Sequence, residues 1–123
     1  MASRGKTNSD KVYTHTHTIS VADISATADS YIIPVKGDGL LVDVEATTDI
    51  DPAADETITV SVNGASQGTV VIATSGWVIS DIDALSPTAP GIALSDGDYI
   101  TIANDSGATG AATLTIVVYI AQD

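Results

Sequence analysis

Hydrophobic and polar residues alternate along much of this chain with the period of two that is typical of β-strands. The pattern is clearest over residues 56–62, where Ile58, Val60 and Val62 share one face and threonine or serine occupies the other. Asn63 and Gly64 follow, and both residue types tolerate the positive φ angles of a tight reversal. Residues 69–72 then resume an apolar pattern. The segment therefore predicts a hairpin, with either a two-residue turn and a short extra strand or a six-residue loop.

Further strands are predicted by the same criterion over residues 12–21, 31–35, 40–46, 99–103 and 113–121, with a shorter apolar run at 77–79. Pro34 cannot donate a ladder hydrogen bond, so its segment is expected at a sheet edge or a bulge. In the third of these segments, Leu40, Val42 and Val44 are expected to face inward. The intervening Leu41, Asp43 and Glu45 are expected to face outward or across an interface.

The predicted strands are short, closely spaced and joined by turn-forming residues, and no long segment has helical periodicity. Seven or eight such strands favour an all-β fold, an antiparallel β-sandwich that is jelly-roll-like. The pattern alone does not separate a plain sandwich from a jelly roll. Because the chain has 123 residues, we expect one domain, which extends over residues 12–123. Because it has no Phe, we expect a core of Val, Ile, Leu and Ala.

Charge is distributed unevenly along the chain, whose formal net charge is −12. Its four basic residues are Arg4, Lys6, Lys11 and Lys36, and thirteen acidic residues follow from Gly37 onward. Such a surface repels phosphate backbones, so we expect no nucleic-acid partner. Residues 1–11 carry three of the bases and no apolar pattern, which predicts a flexible basic arm or one that is ordered only against an acidic partner.

Two histidines are the first candidates for site chemistry. His15 and His17 are two positions apart on a predicted strand and therefore project from the same face. Such a pair can share a metal ion, and three pairs around a threefold axis would supply six ligands. Because no third ligand lies nearby in the sequence, a polar solvated or interface face is the favoured interpretation.

Acidic residues before the central hairpin are the second candidate site. Asp49, Asp51, Asp55 and Glu56 resemble a Ca²⁺ loop only loosely, because Pro52 interrupts them and the required Gly and Glu spacing is missing. A solvated acidic loop is the favoured interpretation. Asp96 and Asp98 flank Gly97, a pattern that is more typical of turn chemistry than of metal ligation.

Signals for catalysis, cofactors and membranes are weak or missing in the sequence. There is no Cys, no nucleophile elbow and no glycine-rich phosphate loop with a lysine. A Ser–His–Asp arrangement would have to use a histidine of the first predicted strand. No basic start followed by a long apolar run indicates a signal peptide or a membrane span. We therefore expect a protein that is not an enzyme and needs no cofactor.

A resemblance adds to this interpretation. It is carried by residues 19–28, 39–44, 57–64, 86–89 and 97–100 and by the closing strand, and it extends over roughly residues 19–121. In the order of these features the chain resembles the small β-rich cement or decoration proteins on capsids of tailed bacteriophages. The resemblance implies a jelly-roll-like trimer on the outer face of a phage head, where it bridges neighbouring major capsid subunits.

The sequence thus leads to the hypothesis of a structural virion protein on the capsid exterior, with the major capsid protein as partner and no membrane partner. A homotrimer is expected because several strands carry apolar residues on both faces. The alternatives are a tail, fibre or spike component, or a carbohydrate-binding β-sandwich that uses Trp77 and the tyrosines. The interface candidates are Arg4, Lys6, Lys11, His15, His17, Leu41, Trp77, Val117 and Tyr119.

Overall fold

A computed structural model describes residues 13–73, 80–81 and 91–122, and gives the backbone alone for residues 13, 14, 80 and 81. The predicted basic arm, the apolar run at 77–79 and the candidate residue Trp77 lie outside the described residues. Within the described ranges every regular element is a β-strand, which confirms the predicted all-β class. No helix in these ranges is long and apolar enough to cross a membrane.

The described residues form nine strands in chain order. They are β1 (Tyr13–Val21), β2 (Ser30–Pro34), β3 (Gly39–Thr48), β4 (Glu56–Val62), β5 (Ala65–Ile72), β6 (Ser80–Asp81), β7 (Ile92–Leu94), β8 (Tyr99–Asn104) and β9 (Leu114–Gln122). The two strands that the alternation did not predict, β6 and β7, have only two and three residues. Both pair with β3, so their strand character comes from that partner more than from their own sequence.

These strands make two antiparallel sheets that pack as a β-sandwich, as predicted. Sheet A has the order β1-β9-β3-β6, with β7 also pairing with β3, and sheet B has the order β2-β8-β4-β5. Four of the pairs are nested along the chain: β1 with β9, β2 with β8, β3 with β6, and β4 with β5. The chain therefore folds as one long hairpin, and its successive strand pairs lie alternately in sheet A and sheet B.

The core lies between the sheets and is built from aliphatic side chains, as the composition predicts. Alternation along each strand supplies it, because every second side chain points to the same face. Its largest fully buried aliphatic members are Val21, Ile24, Leu41, Val44, Ile58, Ile72, Ile100, Ile102, Leu114 and Ile116.

The central hairpin has the shorter of the two predicted connections. Asn63 and Gly64 have φ angles of 51° and 85° and form a two-residue turn between β4 and β5. The return strand starts directly at Ala65 and contains a register shift opposite Val60 and Ser61. A turn with two positive φ angles matches the right-handed twist of the flanking strands.

Strand β3 departs from the predicted alternation. Its register against β9 shifts between Leu41 and Asp43, so Val42 is an inserted residue. Leu41 is fully buried and Val42 is 37% exposed, and the prediction that Leu41 faces outward is therefore wrong. A bulge of one residue reverses the parity of a strand, which a strict period-two interpretation does not anticipate. Gly91 packs against this point, where a Cβ atom would lie 2.5 Å from the Leu41 carbonyl oxygen.

The sandwich has two dissimilar ends. The loop end carries the connections at residues 22–29, 49–55 and 105–113. The turn end carries the short connections at residues 35–38, 63–64 and 95–98, together with the start of β1 and the end of β9. The nine residues of β9 run from one end to the other, a distance of about 30 Å.

Candidate interaction surfaces

Among the residues that the structure describes, the outer face of sheet B carries no charged side chain. Along its four strands, outward positions alternate with buried ones such as Ile58, Val60 and Ile102. The outward residues, which we call the sheet B face, are Ser30, Ile32, Pro34, Thr57, Thr59, Ser61, Thr69, Val71, Tyr99, Thr101 and Ala103. On a chain with a net charge of −12, eleven neighbouring uncharged side chains make this surface distinct.

Apolar groups on the sheet B face lie at both of its edges. Ile32 on β2 is 65% exposed, and Val71 on β5, the opposite edge strand, is 41% exposed. Tyr99, which is 40% exposed, lies opposite Pro34 near the turn end. Most of the remaining side chains are threonine or serine. The β-branched side chains have restricted χ1 angles, so this face has little side-chain entropy to lose on contact with a partner.

The outer face of sheet A is different because it does carry charge. Two predicted interface residues, Val117 and Tyr119, are half-buried here. The Tyr119 hydroxyl donates a 2.8 Å hydrogen bond to the Glu45 carboxylate on the neighbouring strand. Beside this pair, a small depression of about 50 Å³ is lined by Glu45, Ala46, Thr47, Thr115 and Val117.

His15 and His17 lie on β1 in an unexpected setting. They continue the row of Ile19 and Val21, whose side chains are buried in the core, yet both histidines are exposed. Closer to the loop end, the sandwich is closed by Tyr31, whose hydroxyl lies 3.5 Å from the carbonyl oxygen of Ser20. Near the turn end the first half of β1 stands apart from the chain that leaves β2, and a cleft opens between them.

This basic cleft has a volume of about 340 Å³ and is lined by His15, His17, Pro34, Val35, Lys36, Ile120 and Gln122. Pro34, Val35 and Ile120 supply its apolar part. Gln122 donates a 2.6 Å hydrogen bond from Nε2 to the carbonyl oxygen of Lys36 and so ties β9 to the β2–β3 turn. Every Lys, Arg or His side chain of the described residues lines the cleft, and no acidic side chain does.

Glu56 is the functional group that sequence reasoning misplaced. The sequence pattern predicts that it belongs to a solvated acidic loop, but its side chain is fully buried, so that prediction is wrong for this residue. Its Oε2 accepts hydrogen bonds from Asn104 Nδ2 at 2.8 Å and from the Ser106 amide at 3.2 Å. Its Oε1 accepts one from the Ala108 amide at 3.0 Å. The period of two predicts this burial, because Glu56 is two residues before the inward-facing Ile58.

Asn104 extends this network to a second loop. Its Oδ1 accepts the Asp29 amide at 2.8 Å, and its Nδ2 also donates to the Thr27 carbonyl oxygen at 2.7 Å. Asn104 and Glu56 thus join the loops at residues 22–29 and 105–113 to the start of β4. Asp29 also acts on Tyr31, whose pKa is raised by desolvation and then by the charge and hydrogen bond of that carboxylate.

Other carboxylates of the loop end also accept backbone N–H groups. Asp105 Oδ1 accepts the amides of Thr57 and Gly107, each at 3.0 Å. Asp49 Oδ1 accepts the Thr113 amide at 2.7 Å, and Asp51 Oδ1 accepts the Ala53 amide at 2.8 Å. These acids therefore shape the loops. In the described part of the chain, no group of three or more His, Cys, Asp or Glu side chains is arranged to hold a metal ion.

The acids of the turn end perform the predicted turn chemistry. Asp96 Oδ1 accepts the Gly37 amide at 2.7 Å, which joins two neighbouring turns. Asp98 accepts hydrogen bonds from Asn63 Nδ2 at 2.9 Å and from the Ser95 amide at 2.8 Å. These two bonds lower the pKa of the half-buried Asp98 carboxyl, and the bond from Asn63 is the larger cause.

The predicted interface residues therefore separate in space. His15 and His17 meet Lys36 in the basic cleft, Val117 and Tyr119 lie on sheet A, and Leu41 belongs to the core. Arg4, Lys6, Lys11 and Trp77 lie outside the described residues. The sheet B face is not among the predicted surfaces, although the alternating Thr57, Thr59 and Ser61 of β4 are a sequence signal for it. No model of a known protein family matches the chain, and no curated protein matches its sequence.

Proposed function

We propose that this protein is a structural virion protein, a cement or decoration protein that binds the outer face of a phage head and bridges major capsid subunits. The observation that carries the proposal is the uncharged sheet B face on a strongly acidic chain. The similarity in feature order to capsid cement proteins, over roughly residues 19–121, supports the same function.

The physical argument begins with desolvation. Charged groups are costly to bury, and the centres of protein interfaces are depleted in them. The sheet B face removes that cost at the place where the exposed apolar groups Ile32, Val71 and Tyr99 lie. The acidic groups elsewhere on the body discourage uncontrolled self-association in solution.

The size of this face favours several simultaneous contacts. Four strands at about 4.8 Å spacing and five residues in length give a projected area of about 300 Å². A stable interface buries about 800 Å² on each partner, so one such face alone is small. In the proposed homotrimer, three faces engage together, and the effective concentration of the second and third contacts raises the overall affinity.

We further propose that the sandwich is a jelly roll. In that fold a long hairpin of eight strands folds into two sheets. Its strands pair in a nested order, the first with the last, the second with the next to last, and so on. The pairs β1–β9, β2–β8, β3–β6 and β4–β5 follow this scheme, with β7 as an addition on β3.

The test is to add the protein to expanded phage heads that lack it and to measure the temperature at which they release DNA. A ligand that binds only the assembled shell stabilises it by about 2.7 kcal/mol per site at a hundred times its dissociation constant. We therefore expect a higher release temperature. No shift at saturating occupancy would refute the cement function and favour a tail, fibre or spike component.

Variants locate the contact. The double variant Thr59→Glu, Thr101→Glu places two charges in the centre of the sheet B face and should abolish binding to heads. The matched control Thr16→Glu, Thr18→Glu adds the same charge to exposed positions on the outer side of β1 and should bind normally. Equal binding by both double variants would exclude the sheet B face as the docking surface.

A carbohydrate-binding module is the competing class of function. The observation in its favour is Tyr99, an aromatic side chain that is 40% exposed on the sheet B face, where the next outward residue of its strand, Thr101, and the cross-strand partner of Thr101, Ser61, both carry hydroxyl groups. Sugars stack on such rings and bond to such hydroxyls. A glycan array separates the two proposals: saturable binding to a defined glycan that Tyr99→Ala removes would favour the module over the cement protein.

A further inference from the structure

The basic cleft is a second surface whose chemistry requires its own partner. It holds His15, His17 and Lys36 in a chain whose net charge is −12, and no acidic side chain of the described residues lines it. Its volume of about 340 Å³ is within the range of ligand sites. Because Pro34, Val35 and Ile120 form its apolar part, a ligand that combines carboxylates with an aliphatic group fits it better than a small inorganic anion.

A segment with this chemistry lies at the loop end of the same molecule. Asp49, Ile50 and Asp51 are consecutive and exposed, and Ile50 is 45% exposed although it is a large aliphatic residue. The flanking carboxylates already accept the amides of Thr113 and Ala53, so the shape of this acidic tip is set before any partner arrives. A preorganised segment loses less entropy on binding.

The two surfaces cannot meet within one molecule. The basic cleft is at the turn end and the acidic tip is at the loop end, about 30 Å away along the strands. Their contact must therefore join two copies. A contact between two different surfaces of identical subunits is heterologous, and it closes into a ring when the rotation per subunit allows.

We propose that the basic cleft binds the acidic tip of a second copy of this chain, with Ile50 against the apolar part of the cleft and the carboxylates of Asp49 and Asp51 beside His15, His17 and Lys36. This inference deepens the proposed function, on which its biological setting rests, by identifying the contact that makes the homotrimer. The contact uses the two ends of the sandwich and leaves the sheet B face available for the shell.

Sedimentation of the full-length protein in solution, without phage heads, tests the contact. Wild type should self-associate, and raising the salt concentration from about 0.1 M to about 0.5 M should weaken the association about tenfold, because charge pairs at a solvent-accessible rim are screened. A wild-type protein that stays monomeric at all concentrations would overturn the inference. The head-binding assay, which does not depend on this result, would still decide the proposed function.

Complementary variants give the sharper test. The cleft variant is His15→Gln, His17→Gln, Lys36→Gln. The tip variant is Asp49→Asn, Ile50→Ser, Asp51→Asn, whose amide oxygens can still accept the loop hydrogen bonds. Each variant alone should be monomeric. An equimolar mixture should form a dimer and nothing larger, since only one intact cleft and one intact tip are present in each pair.

Controls separate the contact from general effects. The variant Asp23→Asn, Asp29→Asn removes two charges from the same end of the molecule and should associate as wild type does. Circular dichroism and thermal melting confirm that every variant is folded. Association of either single-surface variant at wild-type strength, or a mixture that stays monomeric, would refute the head-to-tail contact.

Discussion

The two ends of the sandwich use the same hydrogen bond, from an amide group to a carboxylate, at different depths. At the loop end Glu56 accepts three such bonds and is fully buried. At the turn end Asp98 accepts two and is half-buried. Water can replace an acceptor that is partly exposed, but it cannot readily reach donors that are fully buried. The comparison therefore teaches that depth, more than the number of bonds, decides how much each carboxylate stabilises the fold.

The largest expected effect is at Glu56. Replacing it with Ala leaves the amides of Ser106 and Ala108 and the side chain of Asn104 without their acceptor, and it also opens a cavity. We expect the free energy of unfolding to fall by about 4 kcal/mol. Urea denaturation followed by circular dichroism measures it.

Glu45→Ala is the matched control for this change. Glu45 is half-buried on the outer face of sheet A and accepts a hydrogen bond from Tyr119. Its replacement should cost about 1 kcal/mol. Glu56→Gln should fall between the two, because its amide group turns a donor toward a donor. Similar losses for the two alanine variants would contradict the importance of depth.

The next effect compares two asparagines, one at each end. Asn104→Ala removes the hydrogen bonds to Asp29, Thr27 and Glu56 at a buried position, and we expect a loss of about 3 kcal/mol. Asn63→Ala, in the exposed hairpin turn with φ of 51°, should cost about 1 kcal/mol, mainly through backbone strain. Both values come from the same urea experiment, and a larger loss at Asn63 would reverse the comparison.

The smallest effect concerns the acid titration of the turn end. Hydrogen bonds from Asn63 and Ser95 lower the folded-state pKa of Asp98 below the ordinary value of 3.8. A carboxyl with a depressed folded pKa stabilises the fold above its unfolded pKa, and this contribution is lost as the pH falls through the folded pKa. A carboxyl-detected NMR titration should show a midpoint below 3.8 for Asp98.

Asn63→Ala should raise that midpoint, since Asn63 is the larger cause of the shift. An Asp98 midpoint that is the same in both proteins would show that the side-chain bond is not formed in solution.

Much of the fold could be predicted because apolar and polar residues alternate along a β-strand in step with its buried and exposed side chains. The inward positions of β4, β8 and β9 and the turn at Asn63 follow from residues that are close in sequence. The prediction for strand β3 was wrong at one point. The inserted residue Val42 reverses which side chains face inward, and the composition of the strand gives no sign of it. Strands β6 and β7 were not predicted, because a strand of two or three residues is too short to show an alternation of apolar and polar positions.

The candidate surfaces were predicted less well because each depends on residues that are far apart along the chain. His15 and His17 were correctly placed on one face, but the cleft also needs Lys36 and Gln122, which arrive from other elements. The sheet B face needs four strands in the order β2-β8-β4-β5 before its lack of charge becomes visible. No local pattern contains that order.

The sequence by itself determined the all-β class, the inward and outward sides of most strands, and the separation of basic and acidic residues along the chain. These properties are local, since they depend on side-chain alternation and on turn residues such as Asn63 and Gly64. Only the tertiary structure decided that Glu56 is buried and that Leu41 belongs to the core. It also decided that the basic groups of the described residues meet in one cleft. The reason is that strand pairing brings together residues more than a hundred positions apart, as His15 and Ile120 are, and hydrogen-bond partners such as Asn104 then determine what can be buried.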